Sequence, residues 1–179
     1  MGFAVISADR LDREVLGLPR VIEQIERWWG PQMLDGQGRV DREAIGRVIL
    51  KDESELKRLV SVVHPLIRQR EQELLEQYQH DPEVKAIVLE APWLFETDQH
   101  KRCDVVVFVL ADEAVRRERI SQSRGWGPEK INRIEGFNAG LDMKIKMSDF
   151  ILPNNSGITN LNAQVAELLL QILKNVKAS

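Results

Sequence analysis

Two carboxylates stand where a parallel α/β sheet would present them to a ligand. Asp9 follows the apolar run "FAVIS", and Glu90 follows "AIVL". Open α/β sheets bind ligands in the crevice at the carboxyl ends of their strands. Asp9 also suits the N-cap of a helix over "RLDREVL". The second candidate group is cationic: Arg116, Arg117, Arg119 and Arg124 lie within "RRERISQSR". Guanidinium forks match phosphate oxygens, although a charge run also suits a solvated helix face. His64 and Pro65 form a third feature, read either as a ligand contact or as the start of a helix. Cys103, the one cysteine, reads as a core residue rather than a nucleophile. Trp28, Trp29 and Trp126 read as packing residues.

The elements that would carry these residues alternate. Strands are expected at Phe3–Ser7, Ala86–Leu89, Asp104–Leu110 and Asp149–Leu152. "VVVFVL" is apolar without alternation, as in a parallel strand covered on both faces. A helix is expected over 19–29, opened by Pro19 and stopped at Gly30. Asp41 is expected to cap "REAIGRVIL" and Ser54 to cap "ELKRLVSVV". "HPLIRQREQELLEQYQ" reads as a separate helix with proline in its first turn, and three further helices cover "EAVRRERISQS", "PEKINRIEGF" and "NLNAQVAELLLQILKNV". Strands alternating with helices predict one α/β domain over residues 1–179 built on a parallel sheet.

Composition narrows the partners. The 179 residues are 43% hydrophobic and 30% charged, which suits a globular core. A net charge of −3 gives no basic field for a nucleic-acid backbone, so that class is disfavoured. No apolar run approaches the roughly 18–20 residues that span a bilayer. The single cysteine excludes an intrachain disulfide and, with no basic–apolar leader, points to the cytoplasm.

Several stretches together resemble the dephospho-coenzyme A kinases. "VISADRLDREVL", "LDGQGRVDREAIGRVIL", "VVHPLI", "IVLEAPWLFE", "CDVVVFVLA", "RRERISQSRGWGPE" and "KIKMSDFILPNNSG" follow the family's motifs in order. The resemblance implies a P-loop nucleoside-triphosphate-hydrolase-like fold with flanking helices, a helical acceptor-binding region at about 10–80 and a lid at about 113–147. It implies ATP-dependent phosphorylation of the 3′-hydroxyl of dephospho-coenzyme A, with magnesium in the complete family. Asp9 would orient the hydroxyl and accept its proton. Arg119 and Lys144 would steady the migrating phosphoryl group. Arg42, His64, Pro65 and Glu96 would contact the acceptor, and no residue of this chain is assigned to a metal. Ser7 stands where the family has a first acid, Ser123 where an arginine is common, and Asn138 where it often has glutamine.

The motif G-x-x-x-x-G-K-[ST] does not occur in residues 1–179. Its backbone N–H groups would cradle phosphates and its hydroxyl would hold magnesium. The resemblance therefore implies that a first strand, phosphate loop and helix are missing from the residues as written. That strand would lie between those matching 86–89 and 104–110. Its loss would open a slot of about 9.6 Å, twice the strand spacing, unless the sheet re-pairs. Three origins are weighed: a start assigned late at Met1, a truncated relative or gene fragment, and a protein with another nucleotide site. The expectation is a kinase inactive in this form and without measurable ATP binding. The alternative is a non-catalytic relative that binds dephospho-coenzyme A or coenzyme A.

Overall fold

A computed structural model describes residues 2–136 and 140–176. Asn138 lies outside the described residues. The chain forms two compact units, Met1–Pro92 and Trp93–Ser179.

In the first unit, β-branched residues make strand β1 (Phe3–Ser7), which runs parallel to β2 (Ala86–Glu90). The register pairs Phe3 with Ala86 and Ser7 with Glu90, so the carboxyl ends of both strands fall level. Between them lie α1 (Ala8–Leu16), α2 (Pro19–Trp29), α3 (Arg42–Ile49) and α4 (Glu53–Gln79). Pro19 opens α2, as the fixed proline φ favours. Asp41 caps α3, accepting from the N–H groups of Glu43 at 2.9 Å and Ala44 at 3.0 Å. The core gathers Val15, Leu16, Val21, Ile25, Met33, Ala44, Ile45 and Val63 from all four helices and the turn before α3.

Two local expectations change here. Asp52, not Ser54, caps α4: its carboxylate accepts from the Ser54 N–H at 2.8 Å and hydroxyl at 2.7 Å. Pro65 does not start a helix but lies inside α4. Proline removes one i→i−4 hydrogen bond and crowds the preceding turn. Leu59 and Val63 before it, and Leu66 and Ile67 after it, all pack on the same core. That shared burial holds one helix through the break, and it places His64 in the middle of α4.

In the second unit, β3 (Val107–Leu110) runs parallel to β4 (Phe150–Pro153). The strand starts later than expected, at Val107 rather than Asp104, although the Val106 carbonyl still accepts from the N–H groups of Asp149 at 2.9 Å and Phe150 at 3.2 Å. The Asp149 side chain accepts from the Val106 N–H at 2.7 Å, so a carboxylate closes the strand's entrance. Around this pair lie α5 (Glu113–Arg124), α6 (Pro128–Glu135), α7 (Leu141–Lys146) and α8 (Ile158–Val176). Gly125 ends α5 at φ 63°, a left-handed conformation that glycine adopts without a Cβ clash. Among the described residues, each strand pairs with one other strand only. Parallel strands are ordinarily covered on both faces. Here Val5 and its register partner Val88 remain 49% and 43% exposed.

Candidate functional site

The first turn of α1 begins the site. Ser7 occupies the N-cap position but makes no side-chain cap. Its hydroxyl instead donates to Glu90 Oε2 at 2.5 Å, joining the carboxyl ends of β1 and β2. Asp9 is therefore inside the helix rather than capping it, exposed in a turn whose dipole favours a negative charge. Three residues on, Asp12 lies on the same helix face.

Asp12 is where three elements meet. Arg42, the first residue of α3, places Nη2 2.7 Å from Asp12 Oδ2. Burial pushes the Asp12 carboxyl above its ordinary range. The Arg42 cation and His64 oppose that rise, and the Asp9 charge adds to it. His64 comes from α4 and is half-buried. Burial holds its imidazole below the ordinary value, Arg68 pushes the same way, and Asp12 pulls against both. Asp9, Arg42 and His64, picked out separately along 56 positions of sequence, thus form one electrostatic group. Pro65 follows His64 on α4 as an exposed residue. Asp12 was missed by the sequence reading. Its spacing from Asp9, three residues within a helix that starts at Ala8, is the signal that could have found it.

The remaining predicted residues belong to the second unit. Lys144 Nζ lies 2.9 Å from Glu96 Oε1, with the side chains only 9% and 19% exposed. Two residues picked out separately are therefore partners in a largely buried ion pair. Arg119 takes other partners, donating to the carbonyls of Asn154 at 2.7 Å and Ser156 at 3.2 Å. This ties α5 to the turn between β4 and α8. Asn155 reinforces the tie by accepting from the Asp112 N–H at 2.7 Å. Arg116 and Arg117 both reach Glu135 on α6, at 3.1 and 3.4 Å. The basic run is thus largely a bracing network between α5 and its neighbours.

Trp28, Trp29, Trp126 and Cys103 each have defined neighbours, and of these only Trp29 packs on the core of the first unit. Trp29 packs on the core and donates Nε1 to Glu55 at 2.7 Å. Trp28 lies under the Arg58 guanidinium at 4.5 Å, and Trp126 is flanked by Arg124 and Lys130. Cys103 is half-buried, with Sγ 3.6 Å from the Gln99 carbonyl.

Among the described residues, no group of three or more His, Cys, Asp or Glu side chains is placed to hold a metal ion. Glu90, the strand-end acid suited to a metal, is engaged by Ser7. No helix among the described residues is long and apolar enough to cross a membrane.

An α/β chain with parallel strands, a strand-end acid and a clustered arginine and histidine defines a ligand-binding α/β protein. Solved structures agree on the fold. The crystal structure of TT1252 from Thermus thermophilus superimposes with a TM-score of 0.74, covering 95% of this chain and 85% of that one at 27% identity. The dephospho-CoA kinase from Campylobacter jejuni gives 0.67, covering 97% and 87% at 20% identity, a likeness of fold alone. The dephospho-CoA kinase of Thermobifida fusca is 32% identical over 169 residues, 93% of this chain and 82% of that protein. The dephospho-CoA kinase family, CoaE, matches residues 1–160. The chain belongs to that family, whose members are phosphotransferases.

Proposed function

We propose that this chain carries the acceptor-binding part of a dephospho-coenzyme A kinase, an enzyme that transfers the γ-phosphoryl group of ATP to the 3′-hydroxyl of dephospho-coenzyme A. The observation that supports the reading is the Arg42–Asp12 ion pair at 2.7 Å, with Asp9 one turn earlier on α1 and His64 near enough to act on Asp12 electrostatically. Phosphoryl transfer depends mainly on positioning and on electrostatic stabilisation. Asp9 orients the 3′-hydroxyl and accepts its proton as the O–P bond forms. In the first unit Arg42 binds a phosphate of the acceptor and His64 and Pro65 contact it; Glu96, in the second unit, is proposed as an acceptor contact in its own right. Arg119 and Lys144 steady the migrating phosphoryl group, each held by the partners described above. On this reading the chain is one α/β domain of P-loop kinase type, with the acceptor region at about 10–80 and the lid at about 113–147.

Magnesium, when bound beside ATP, neutralises charge on the phosphates. No residue of this chain is assigned to that ion on this reading. Residues 1–179 also hold no glycine-rich phosphate loop. The proposal is therefore that these residues bind the acceptor and do not, alone, bind ATP or complete the transfer.

The test is a pair of calorimetric titrations of the purified 179-residue chain. Dephospho-coenzyme A is expected to bind saturably, and ATP with magnesium to give no saturable heat. Micromolar ATP binding would overturn the inactive reading, and γ-phosphoryl transfer would do so more strongly. Absence of dephospho-coenzyme A binding would overturn the acceptor site itself.

A further inference from the structure

Asp12 is desolvated, close to a second carboxylate, and paired with an arginine from another helix. A carboxylate placed beside Asp9 gains nothing for folding from that neighbour, since like charges repel. Strained charge groupings of this kind cluster at ligand sites. The geometry is asymmetric. The Arg42 side chain is 46% exposed and Asp12 only 28%, so Arg42 is the more accessible partner of the pair. The shortest contact of the pair brings Nη2 to 2.7 Å from one carboxylate oxygen. Such a contact fixes a long side chain and leaves further guanidinium donors for an anion.

We propose that Asp12 is a positioning residue of the acceptor site: by holding Nη2 of Arg42, it presents the rest of the guanidinium to a phosphate of the acceptor. The inference rests on the functional reading above and adds to it a residue outside the contacts named there. His64, on α4, is close enough to Asp12 to interact with it electrostatically, while burial and then Arg68 hold its imidazole below the ordinary value. Asp9 lies one turn before Asp12, where the acceptor hydroxyl is bound on this reading. Asp12 thus links the phosphate end of the acceptor contacts to the hydroxyl end.

Calorimetric titration of the full chain with dephospho-coenzyme A, and separately with adenosine, which carries no phosphate, tests the device. Asp12→Asn keeps the side-chain shape and is expected to weaken dephospho-coenzyme A about fivefold through the coupled pair. Arg42→Gln should weaken it at least as much, and the double variant no further than Arg42→Gln alone. Adenosine affinity should stay the same in all three. Arg42→Lys keeps the charge but cannot hold a carboxylate and a phosphate in one planar fork. It probes the device from α3 should Asp12→Asn fail to fold, and is expected to weaken dephospho-coenzyme A several-fold. Additive losses, an equal loss for adenosine, or unchanged affinity in Asp12→Asn or Arg42→Lys beside a binding wild type would overturn the inference. A wild type that binds no dephospho-coenzyme A would overturn the functional reading instead, and this inference with it.

Discussion

Replacing Glu96 by glutamine removes one charge from the pair it forms with Lys144 while leaving the side-chain shape nearly unchanged. The Lys144 side chain is 9% exposed and the two charged atoms are 2.9 Å apart. Removing one partner of a buried pair costs about 3–5 kcal/mol, because the remaining charge stays desolvated. Glu96 keeps some access to water, at 19% exposure, so the low end applies: about 3 kcal/mol. With a urea slope of about 2 kcal/mol/M, the unfolding midpoint falls by about 1.5 M. The assay is urea unfolding followed by circular dichroism, with Glu96→Gln, Lys144→Met and Glu96→Leu/Lys144→Met beside the wild type. The double variant should return to within about 1 kcal/mol of wild type, since replacing both charges by apolar groups is often neutral. A midpoint shift below about 0.3 M in Glu96→Gln, or a double variant worse than either single one, would refute the reasoning.

Three further outcomes are expected. Asp41→Ala removes the side-chain cap of α3 and should lower stability by about 1 kcal/mol, with Asp41→Asn losing much less; urea midpoints decide between them. His64 is held below its ordinary value of 6.5, so the folded state binds fewer protons than the unfolded chain just below that pH. Its stabilising contribution is present above pH 6.5 and is lost as pH falls through the lowered folded value, so His64→Gln should flatten the acid side of a stability–pH curve. Asp12 has the opposite sign. Its raised folded value gives stability that is present below 3.8 and lost as pH rises, so Asp12→Asn should gain on wild type at neutral pH and match it in acid. A curve for Asp12→Asn parallel to wild type from pH 3 to 7 would contradict this.

The parallel α/β class was legible because its signals are local and redundant. β1, α2, α3 and α5 fall close to the positions that apolar runs, Pro19, Asp41 and the "RG" break indicate. Boundaries set by tertiary packing were not legible. Pro65 reads as a helix start in sequence, because only the shared burial of Val63, Leu66 and Ile67 shows that α4 continues through it. Asp52 and Ser54 are both good cap residues, and only the observed bonds show which one receives the donors. The α1 grouping was partly legible. Asp9, Arg42 and His64 were picked out through family motifs, whereas Asp12 lies in none of the matched acids. Its importance emerges only when α3 brings Arg42 against it. The Lys144–Glu96 pair was legible as two residues and not as a bond, since 48 positions separate them in the chain.

The most direct measurement is hydrogen exchange of the purified chain with and without dephospho-coenzyme A. The account predicts slowed exchange in α1, in the first turn of α3 and in α4 around His64, with all three lost together in Arg42→Gln. Protection confined to other segments, or none at saturating ligand, would contradict the claim that Asp9, Arg42 and His64 form the acceptor site.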